Sequence, residues 1–253
     1  MERWTDRVVL VTGASSGIGR SIVAELSKYP LKIVAFARRI VLLQELADEL
    51  QSSAAKIYPV QCDLTRESDI LKAFEWIETT VGEGVSVLVN NAGILTTSKL
   101  LDGQTEDWRN MFDLNVLAAT ICCREAFKSM QKHGIDDGHI ININSTAGHS
   151  LLPYPGQKVY NATKTALTFL TEGFRHEIAH ARLKIKVTSL SPGRVISATE
   201  SDEKNTKPVL SMKPENVASM VIVALTTPPD IVIAELTVLS VGETIQSYPP
   251  PMI

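Results

Sequence analysis

The sequence lacks the features that mark a secreted, membrane-spanning or nucleic-acid-binding protein. No apolar run in its 253 residues reaches the roughly 18–20 residues that cross a bilayer. The first residues, MERWTDRVVLVTGA, carry charges where a signal peptide needs an apolar region. Lys and Arg number 25 against 28 Asp and Glu, so there is no basic excess for a polyanion. We therefore expect a soluble cytoplasmic protein with no membrane span and no nucleic-acid partner.

Cysteine is scarce, and its placement argues against disulfides and metal sites. The three cysteines are Cys62, Cys122 and Cys123. Adjacent cysteines do not normally bridge each other, the count is odd, and no metal-ligand spacing is present. We expect reduced thiols and no bound metal, with Cys62 and Met130 packed in or near the core.

Short apolar runs alternate with amphipathic stretches along the chain. The pattern predicts a buried strand at Arg7–Ala14, a helix at Gly19–Tyr29, a long helical region from Glu106 to about His133, and a closing strand after the last helix. Strands this apolar are usually covered on both faces, and strand–helix alternation implies right-handed crossovers. Since there is no repeat and no linker, residues 1–253 are predicted to form a single α/β domain, a doubly wound parallel sheet with helices on both faces.

One segment breaks this pattern. Arg194–Ser211, RVISATESDEKNTKPVLS, is polar, charged and without clear periodicity. We interpret it as a mobile substrate loop that could serve as a lid. The tail SYPPPMI cannot be helical because of its prolines.

A glycine-rich turn, VTGASSGIG, follows the first strand and opens the first helix. Its glycines, Gly13, Gly17 and Gly19, are spaced by four and two, whereas the usual dinucleotide fingerprint has spacings of two and three. Glycines let the backbone approach a pyrophosphate, and a helix amino terminus offers unpaired N–H groups. The position in the first strand–helix unit favours a dinucleotide site. The alternative is a tight turn that binds no ligand.

The end of the second strand, AFARR, bears on which nucleotide binds. NAD sites usually place an acidic residue here, where it accepts hydrogen bonds from the ribose hydroxyls. This chain has Arg38 and Arg39 instead, and a guanidinium binds a 2′-phosphate that a carboxylate would repel. We infer NADP rather than NAD. The alternative is a solvated basic pair at a strand end.

Two Tyr-x-x-x-Lys pairs occur in PYPGQKVYNATK. Residues four apart share a face only within a helix. Tyr154 precedes Pro155, so Tyr154 and Lys158 should lie at a loop–helix junction, whereas Tyr160 and Lys164 should point the same way from a continuous helix. A nearby ammonium would lower the phenol's pKa from about 10, which would let Tyr160 exchange a proton with a substrate oxygen. The alternative is a surface pair without function.

Together these motifs resemble the short-chain dehydrogenase/reductase family. The matches fall in family order over nearly the whole chain: TGASSGIG from Thr12, NNAG from Asn90, DLNV with Asn115, ININS ending at Ser145, YNATK from Tyr160 and SPGRV from Ser191. The stretches MERW, DGHIININS, LTEGFRHE and KPENVA resemble the branch with dehydrogenase/reductase SDR family member 11 and the insect NADP-dependent farnesol dehydrogenases. The resemblance implies a Rossmann-type fold and an alcohol/carbonyl oxidoreductase.

The resemblance implies catalytic roles for four polar residues. Tyr160 would be the general acid/base, and Lys164 would lower its pKa and hold the nicotinamide ribose. Ser145 would hydrogen-bond the substrate oxygen, and Asn115 would hold a water in a proton relay to Lys164. The nicotinamide would carry the hydride.

The resemblance also implies an NADP(H) site. Asn91 and Gly93 would pass near the adenosine ribose, and Asp63 near the adenine. Val195 would meet the carboxamide through its backbone, and the Ser197 hydroxyl stands where the family usually has a threonine. The predicted cofactor-binding residues are Gly13, Ser15, Ser16, Gly17, Ile18, Gly19, Arg38, Arg39, Asp63, Leu64, Asn91, Ala92, Gly93, Tyr160, Lys164, Pro192, Gly193, Val195 and Ser197.

The substrate pocket is predicted to be apolar. Ser145 and Tyr160 lie two positions further apart than is common in the family, so we place an insertion in GHSLLPYPGQK at the pocket rim. Ser150 is a poorer candidate than Ser145 because it lies beyond the strand end. The predicted substrate residues are Leu95, Ser145, Leu151, Leu152, Tyr154 and Ile196, with Val195 helping to line the pocket. They suggest a lipophilic alcohol, ketone or aldehyde, and a farnesol-like isoprenoid and a ketosteroid both fit.

The family usually forms dimers or tetramers through the helices that carry Asn115 and Tyr160, so the resemblance implies a homodimer or homotetramer. Two other functions are open: a catalytically idle member that senses NADP(H), and a scaffold or lipid carrier with a vestigial nucleotide site. The complete Asn–Ser–Tyr–Lys set argues against the idle member. Turnover of NADPH with ketones and aldehydes would separate these possibilities.

Overall fold

The computed structural model describes residues 1–196 and 210–245. Within these ranges a seven-stranded, wholly parallel sheet has the strand order β3–β2–β1–β4–β5–β6–β7. The order reverses between β1 and β4, which makes the sheet doubly wound, as the sequence predicts. The strands are β1 Val8–Thr12, β2 Lys32–Ala37, β3 Lys56–Gln61, β4 Val85–Asn90, β5 His139–Ile143, β6 Lys186–Pro192 and β7 Glu235–Val238.

Helices cover both faces of the sheet, which explains why the central strands are buried throughout. One face packs against α1, α2 and α7, and the other against α3, α5 and α6. Every residue of β1, β4, β5 and β6 is buried. The helices are α1 Gly17–Leu26, α2 Ile40–Glu49, α3 Glu67–Trp76, α4 Thr105–Phe112, α5 Ala119–Lys132, α6 Lys158–His180 and α7 Pro214–Leu225.

The predicted long helix after β4 is interrupted. Between α4 and α5 the chain forms a π-helical segment, Asp113–Ala118, and Asn115 lies within it. Such π segments are rare and occur frequently at functional sites. Helical periodicity in the sequence does not distinguish this segment from an α-helix.

The core predictions for cysteine and methionine are confirmed. Cys62, Cys122 and Cys123 are buried and unbridged, and Met130 is fully buried. Burial raises the pKa of each of the three thiols, to about 12 for Cys62 and about 11 for Cys123. These thiols therefore stay protonated and unreactive.

Part of the predicted mobile loop can be located. Val195 forms a parallel bridge with Met212, Ile196 N donates to Met212 O at 2.9 Å, and Met212 N donates to Arg194 O at 2.8 Å. Residues 197–209, which include Ser197, and the tail from residue 246 lie outside the described residues. In the described part of the chain, no helix combines the length and apolarity that a membrane crossing requires. The same part holds no cluster of three His, Cys, Asp or Glu arranged for a metal ion.

Candidate active site

Within the described residues, two neighbouring cavities at the carboxyl edge of the sheet contain most of the predicted site residues. A cavity of about 380 Å³ lies where the strand order reverses, beside the ends of β1, β2 and β4. A larger cavity of about 960 Å³ lies beside the ends of β5 and β6. Ile18, near the start of α1, lines both cavities. A ligand that passes Ile18 could therefore extend from the first cavity into the second.

The glycine-rich turn is fastened to the end of β4. Thr12 Oγ1 accepts hydrogen bonds from Asn91 N and Ala92 N, each at 3.0 Å. Asn91 Nδ2 donates to Thr12 O at 3.0 Å and to Gly13 O at 3.3 Å. The Asn91 side chain thus shapes the turn, in addition to lining the first cavity.

The three glycines of the turn serve different purposes. A Cβ on Gly13, which has φ +66°, would lie 2.8 Å from Ala92 Cα. A Cβ on Gly19 would lie 2.3 Å from Gly13 O, so neither position has room for a side chain. Gly17 has φ +54° and a Cβ there would meet nothing within 4 Å. Its missing side chain leaves the start of α1 open, which is what a bound pyrophosphate needs.

Cationic and polar groups occupy the far end of the first cavity. Arg39 Nη2 donates to Ser15 Oγ at 3.0 Å and to Ser16 Oγ at 2.9 Å, which ties the end of β2 to the glycine-rich turn. Arg38 is exposed and lines the cavity with Asp63. Burial alone would raise the pKa of Asp63. Hydrogen bonds from Thr65 and the charge of Arg38 outweigh burial and hold this pKa below its usual value.

Most predicted cofactor residues line one of the two cavities. Pro192, Gly193, Val195 and Tyr160 line the larger one, whereas Gly17, Gly19 and Lys164 are not among the lining residues of either cavity. The first cavity is lined by Gly13, Ser15, Ser16, Ile18, Arg38, Arg39, Asp63, Leu64, Asn91, Ala92 and Gly93, and also by Ala37, Cys62, Thr65, Ile94 and Leu114, which the motifs do not indicate. An open turn, polar serines and cations suit a nicotinamide dinucleotide.

Tyr160 and Lys164 share one face of α6, as predicted. Lys164 Nζ lies 5.9 Å from the centre of the Tyr160 ring. The other pair is separated, also as predicted. Tyr154 precedes α6 with 47% of its surface exposed, and Lys158 Nζ donates to the Leu152 carbonyl.

The predicted effect of Lys164 on the acidity of Tyr160 is wrong in this structure. Burial raises the pKa of Tyr160, and a hydrogen bond with Ser145 only partly opposes that rise. Burial also lowers the pKa of Lys164 to about 8, and its Nζ donates to Ile143 O at 3.0 Å. Desolvation therefore outweighs the attraction between the ammonium and a phenolate.

Asn115 joins three parts of the site. Its side chain is fully buried, and Oδ1 accepts from Ile94 N at 2.8 Å. Its Nδ2 donates to Ile94 O at 2.8 Å and to Thr163 Oγ1 on α6 at 3.1 Å. A Cβ on Gly93 would lie 3.3 Å from Asn115 Oδ1 and 3.9 Å from Lys164 Nζ, so these groups converge. The predicted water relay through Asn115 stays a prediction.

Ser145 and Tyr160 line the larger cavity together. Ser145 Oγ accepts from Ala147 N at 3.1 Å and so caps the short turn after β5. Ser150 also lines this cavity, and its hydroxyl donates to Thr146 O at 3.3 Å. The link to Tyr160 favours Ser145 over Ser150, in line with the sequence-based preference.

The predicted substrate residues lie around the larger cavity with one exception. Leu95, Leu151, Leu152, Tyr154 and Val195 line it. Ile196 is not among the lining residues. Pro153, Gln157, Arg194 and Leu210 also line the cavity, and they belong to the rim insertion and the substrate loop that the sequence indicates. The motifs did not single out five further lining residues: Asn144, Thr146, Glu243, Thr244 and Ile245.

The doubly wound sheet and its two adjoining cavities are those of a Rossmann-type oxidoreductase. A family profile described as short chain dehydrogenase matches residues 7–208, and the chain belongs to that family, as its motifs predict. Dehydrogenase/reductase SDR family member 11 of Gallus gallus is 43% identical over 247 residues, which cover 93% of this chain and 96% of the relative. The chain is thus an enzyme of the oxidoreductase class.

Two further proteins illustrate the match. Farnesol dehydrogenase of Aedes aegypti is 40% identical over 245 residues, 96% of this chain and 99% of the relative. An alcohol dehydrogenase of the archaeon Thermococcus sibiricus, solved in complex with 5-hydroxy-NADP, is 25% identical with a TM-score of 0.82. That match covers 94% of this chain and 98% of the archaeal one. The predicted family, branch and fold are confirmed.

Proposed function

We propose that this enzyme is an NADP-dependent oxidoreductase that interconverts an alcohol and a carbonyl group on a lipophilic substrate. The observation that carries the proposal is that Ser145 and Tyr160 line one cavity, which meets the dinucleotide cavity at Ile18. A substrate oxygen between the two hydroxyls would lie beside the nicotinamide end of a dinucleotide that reaches past Ile18.

The proton would move at the Tyr160 hydroxyl. When bound, the nicotinamide would supply or accept the hydride. Burial keeps the phenol protonated, so Tyr160 is ready to donate its proton to a carbonyl oxygen during reduction. Lys164 carries its charge below about pH 8, and this charge would favour the phenolate that forms when the proton leaves. Ser145 would hydrogen-bond the substrate oxygen.

The two arginines support NADP as the cofactor. Arg39 is already held over the glycine-rich turn by Ser15 and Ser16, and Arg38 lines the same cavity. A 2′-phosphate there would meet two guanidinium groups. Asp63 lines the same cavity as Arg38, and the family resemblance places the adenine near it.

The apolar rim supports a lipophilic substrate. Leu95, Leu151 and Tyr154 line the larger cavity and remain partly exposed. Its volume of about 960 Å³ accommodates a large ligand. The similarity to a farnesol dehydrogenase favours a farnesol-like isoprenoid, and a ketosteroid fits the same surface.

We further propose that the enzyme acts in the cytoplasm as a homodimer or homotetramer. Apolar side chains are exposed on the helical region that carries Asn115 and on α6, among them Leu117 and Phe169, the latter 75% exposed. Contact between two copies through these helices would cover them.

The test is a turnover assay run in both directions with NADP(H) and NAD(H). Farnesol, farnesal, a ketosteroid and a panel of simpler ketones and aldehydes serve as substrates. We expect turnover with NADP(H) and a loss of about 100-fold or more in Tyr160→Phe. Tyr29→Phe removes a phenol from the turn that follows α1 and should retain activity. Nucleotide binding without turnover, and equal behaviour of Tyr160→Phe and the native enzyme, would contradict the proposal.

A further inference from the structure

A carboxylate from the C-terminal part of the chain lies against the backbone that follows β6. Glu243 Oε1 accepts from Arg194 N at 2.8 Å. Glu243 Oε2 accepts from Ser240 N at 3.0 Å, and Glu243 N donates to Ser240 O at 2.9 Å. Gly242, with φ +90°, allows this tight turn. Both carboxylate oxygens are therefore engaged, and the turn aims one of them at a single backbone N–H.

The Glu243 carboxylate also lies against Gly193. A Cβ on Gly193 would lie 2.4 Å from Glu243 Oε1 and 2.5 Å from Oε2. On its other side, Gly193 N donates to Val238 O at 2.8 Å. The segment after β6 is thus held between the end of β7 and the Glu243 carboxylate, and only glycine leaves room for that carboxylate.

The segment held in this way is a wall of the larger cavity. Gly193, Arg194 and Val195 line the cavity that also contains Ser145 and Tyr160. Beyond Arg194 the chain pairs with Met212, so the wall is fixed at both ends. A change in the Arg194 hydrogen bond would shift the surface that faces the reacting groups.

We propose that Glu243 is a positioning residue for cofactor binding, which acts through Arg194 N–H and the Gly193 backbone. The inference rests on the proposed function and deepens it, since Val195 follows directly and is proposed to meet the nicotinamide carboxamide. A charge-assisted hydrogen bond is roughly twice as strong as a neutral one. A glutamine can replace only one of the two accepting oxygens, because its NH₂ group cannot accept from a backbone N–H.

The test begins with NADPH affinity, measured by nucleotide fluorescence on folded protein. We expect the Kd of Glu243→Ala to rise about ten-fold, and that of Glu243→Gln to rise less. Glu75→Gln removes the same charge from an exposed position on α3 and should leave the Kd unchanged. If Glu243→Ala does not fold, Glu243→Gln carries the comparison. Native affinity in the folded Glu243 variants would overturn the inference.

A second measurement separates positioning from a general loss of stability. In the native background, Gly193→Ala forces a methyl group into the Glu243 carboxylate and should weaken NADPH binding strongly. In the Glu243→Ala background that collision is absent, so Gly193→Ala should add little. An equal effect of Gly193→Ala in both backgrounds would overturn the inference, whatever the thermal stability of the variants.

Titration with NADH distinguishes this inference from the proposed cofactor. If the native enzyme prefers NADH, the NADP proposal fails, and weaker NADH binding by Glu243→Ala still supports the positioning role. If the native enzyme binds neither nucleotide, the proposed function and the positioning role fail together.

Discussion

Lys164 Nζ lies 5.9 Å from the centre of the Tyr160 ring, on the same face of α6, and donates its hydrogen bond to Ile143 O. Burial moves the two pKa values apart: it raises that of Tyr160 above its ordinary value of 10.0 and lowers that of Lys164 from 10.5 to about 8. The protein thus holds a neutral phenol beside an ammonium that gives up its proton more readily than an exposed lysine. Such a pair suits a site that passes protons in both directions.

The first prediction is that Lys164→Met stabilises the fold while it inactivates the enzyme. The folded pKa of about 8 lies below the ordinary 10.5, so burial of the charge opposes folding at pH 7. After the loss of the Ile143 hydrogen bond is subtracted, we expect a gain of about 1–2 kcal/mol in the free energy of unfolding. The measurement is urea unfolding at pH 7, together with the rate of NADP(H) turnover.

The pH dependence supplies the control for this prediction. Between about pH 8 and 10.5 the unfolded native chain binds more protons at Lys164 than the folded one. Native stability from this group therefore rises with pH over that range, and the advantage of Lys164→Met should shrink. A variant less stable than the native enzyme at pH 7, or an advantage that does not change by pH 9.5, would contradict the assigned burial cost.

The second prediction concerns acid stability and His139. This residue is buried in β5, and its Nε2 lies 2.8 Å from Thr188 Oγ1. Burial lowers the pKa of His139 to about 3, and the charge of Lys186 adds a smaller effect in the same direction. The folded protein keeps His139 neutral, whereas in the unfolded chain His139 becomes protonated below about pH 6.5. The stability that is present above pH 6.5 is therefore lost as the pH falls towards 3.

His139→Gln keeps a polar group near Thr188 and removes the titration. Its stability should fall less steeply between pH 6.5 and 4.5, by up to about 1.4 kcal/mol per pH unit. Denaturant midpoints at several pH values measure this slope. His180→Gln, at the exposed end of α6, is the matched control and should keep the native slope. Identical slopes in all three proteins would show that His139 does not govern acid unfolding.

The third prediction separates the roles of two glycines in the turn after β1. Gly19→Ala would push a methyl group to 2.3 Å from Gly13 O and 2.5 Å from Asn91 Nδ2, so we expect a large loss of stability. Gly17→Ala has open space, so its effect on folding is backbone strain of about 1 kcal/mol. Its methyl group, however, would stand where we place the pyrophosphate, and nucleotide affinity should fall strongly.

Thermal unfolding and nucleotide titration on both variants check this prediction. Gly82→Ala is the matched control, since Gly82 has φ +76°, open space around its Cβ and a position at the end of the π-helical segment Ile77–Val81. It should reproduce the strain of Gly17→Ala without any change in affinity. If Gly17→Ala binds NADPH as the native enzyme does, the pyrophosphate does not approach this turn.

The fourth prediction is that Arg38 and Arg39 decide between the two nucleotides. Arg38→Ala and Arg39→Ala should each raise the Kd for NADPH by about ten-fold and leave that for NADH nearly unchanged. Arg39→Ala also frees Ser15 and Ser16, so its effect should be the larger. Added salt should weaken NADPH binding by the native enzyme more than by either variant.

Arg109→Ala removes an exposed arginine of α4 and serves as the control. If both Arg38→Ala and Arg39→Ala weaken NADH and NADPH equally, the arginines act on a part that the two nucleotides share, and NADP selection must lie elsewhere. Titrations of each variant with NADPH and with NADH give the ratio of the two Kd values, which shows whether the arginines select NADP.

Local sequence patterns predicted the presence of strands and helices better than their boundaries. The apolar run predicted as the first strand, Arg7–Ala14, contains β1, which is buried at every position because helices cover both faces of the sheet there. The edge strands β3 and β7 are only partly buried. The first helix begins at Gly17 rather than Gly19, since glycine is a poor indicator of a helix start. The π-helical segment around Asn115 has the same apolar periodicity as the α-helices beside it, so only coordinates could reveal it.

The sequence alone determined the order of strands and helices, the glycine-rich turn and the shared face of Tyr160 and Lys164, because these depend on spacings of a few residues. Only the tertiary structure decided the properties that depend on burial and on contacts between residues distant in the sequence. It raised rather than lowered the pKa of Tyr160, left Ile196 out of the cavity lining, and brought Glu243 against Gly193. Desolvation and long-range packing depend on which elements meet in space, and no local spacing along the chain records that.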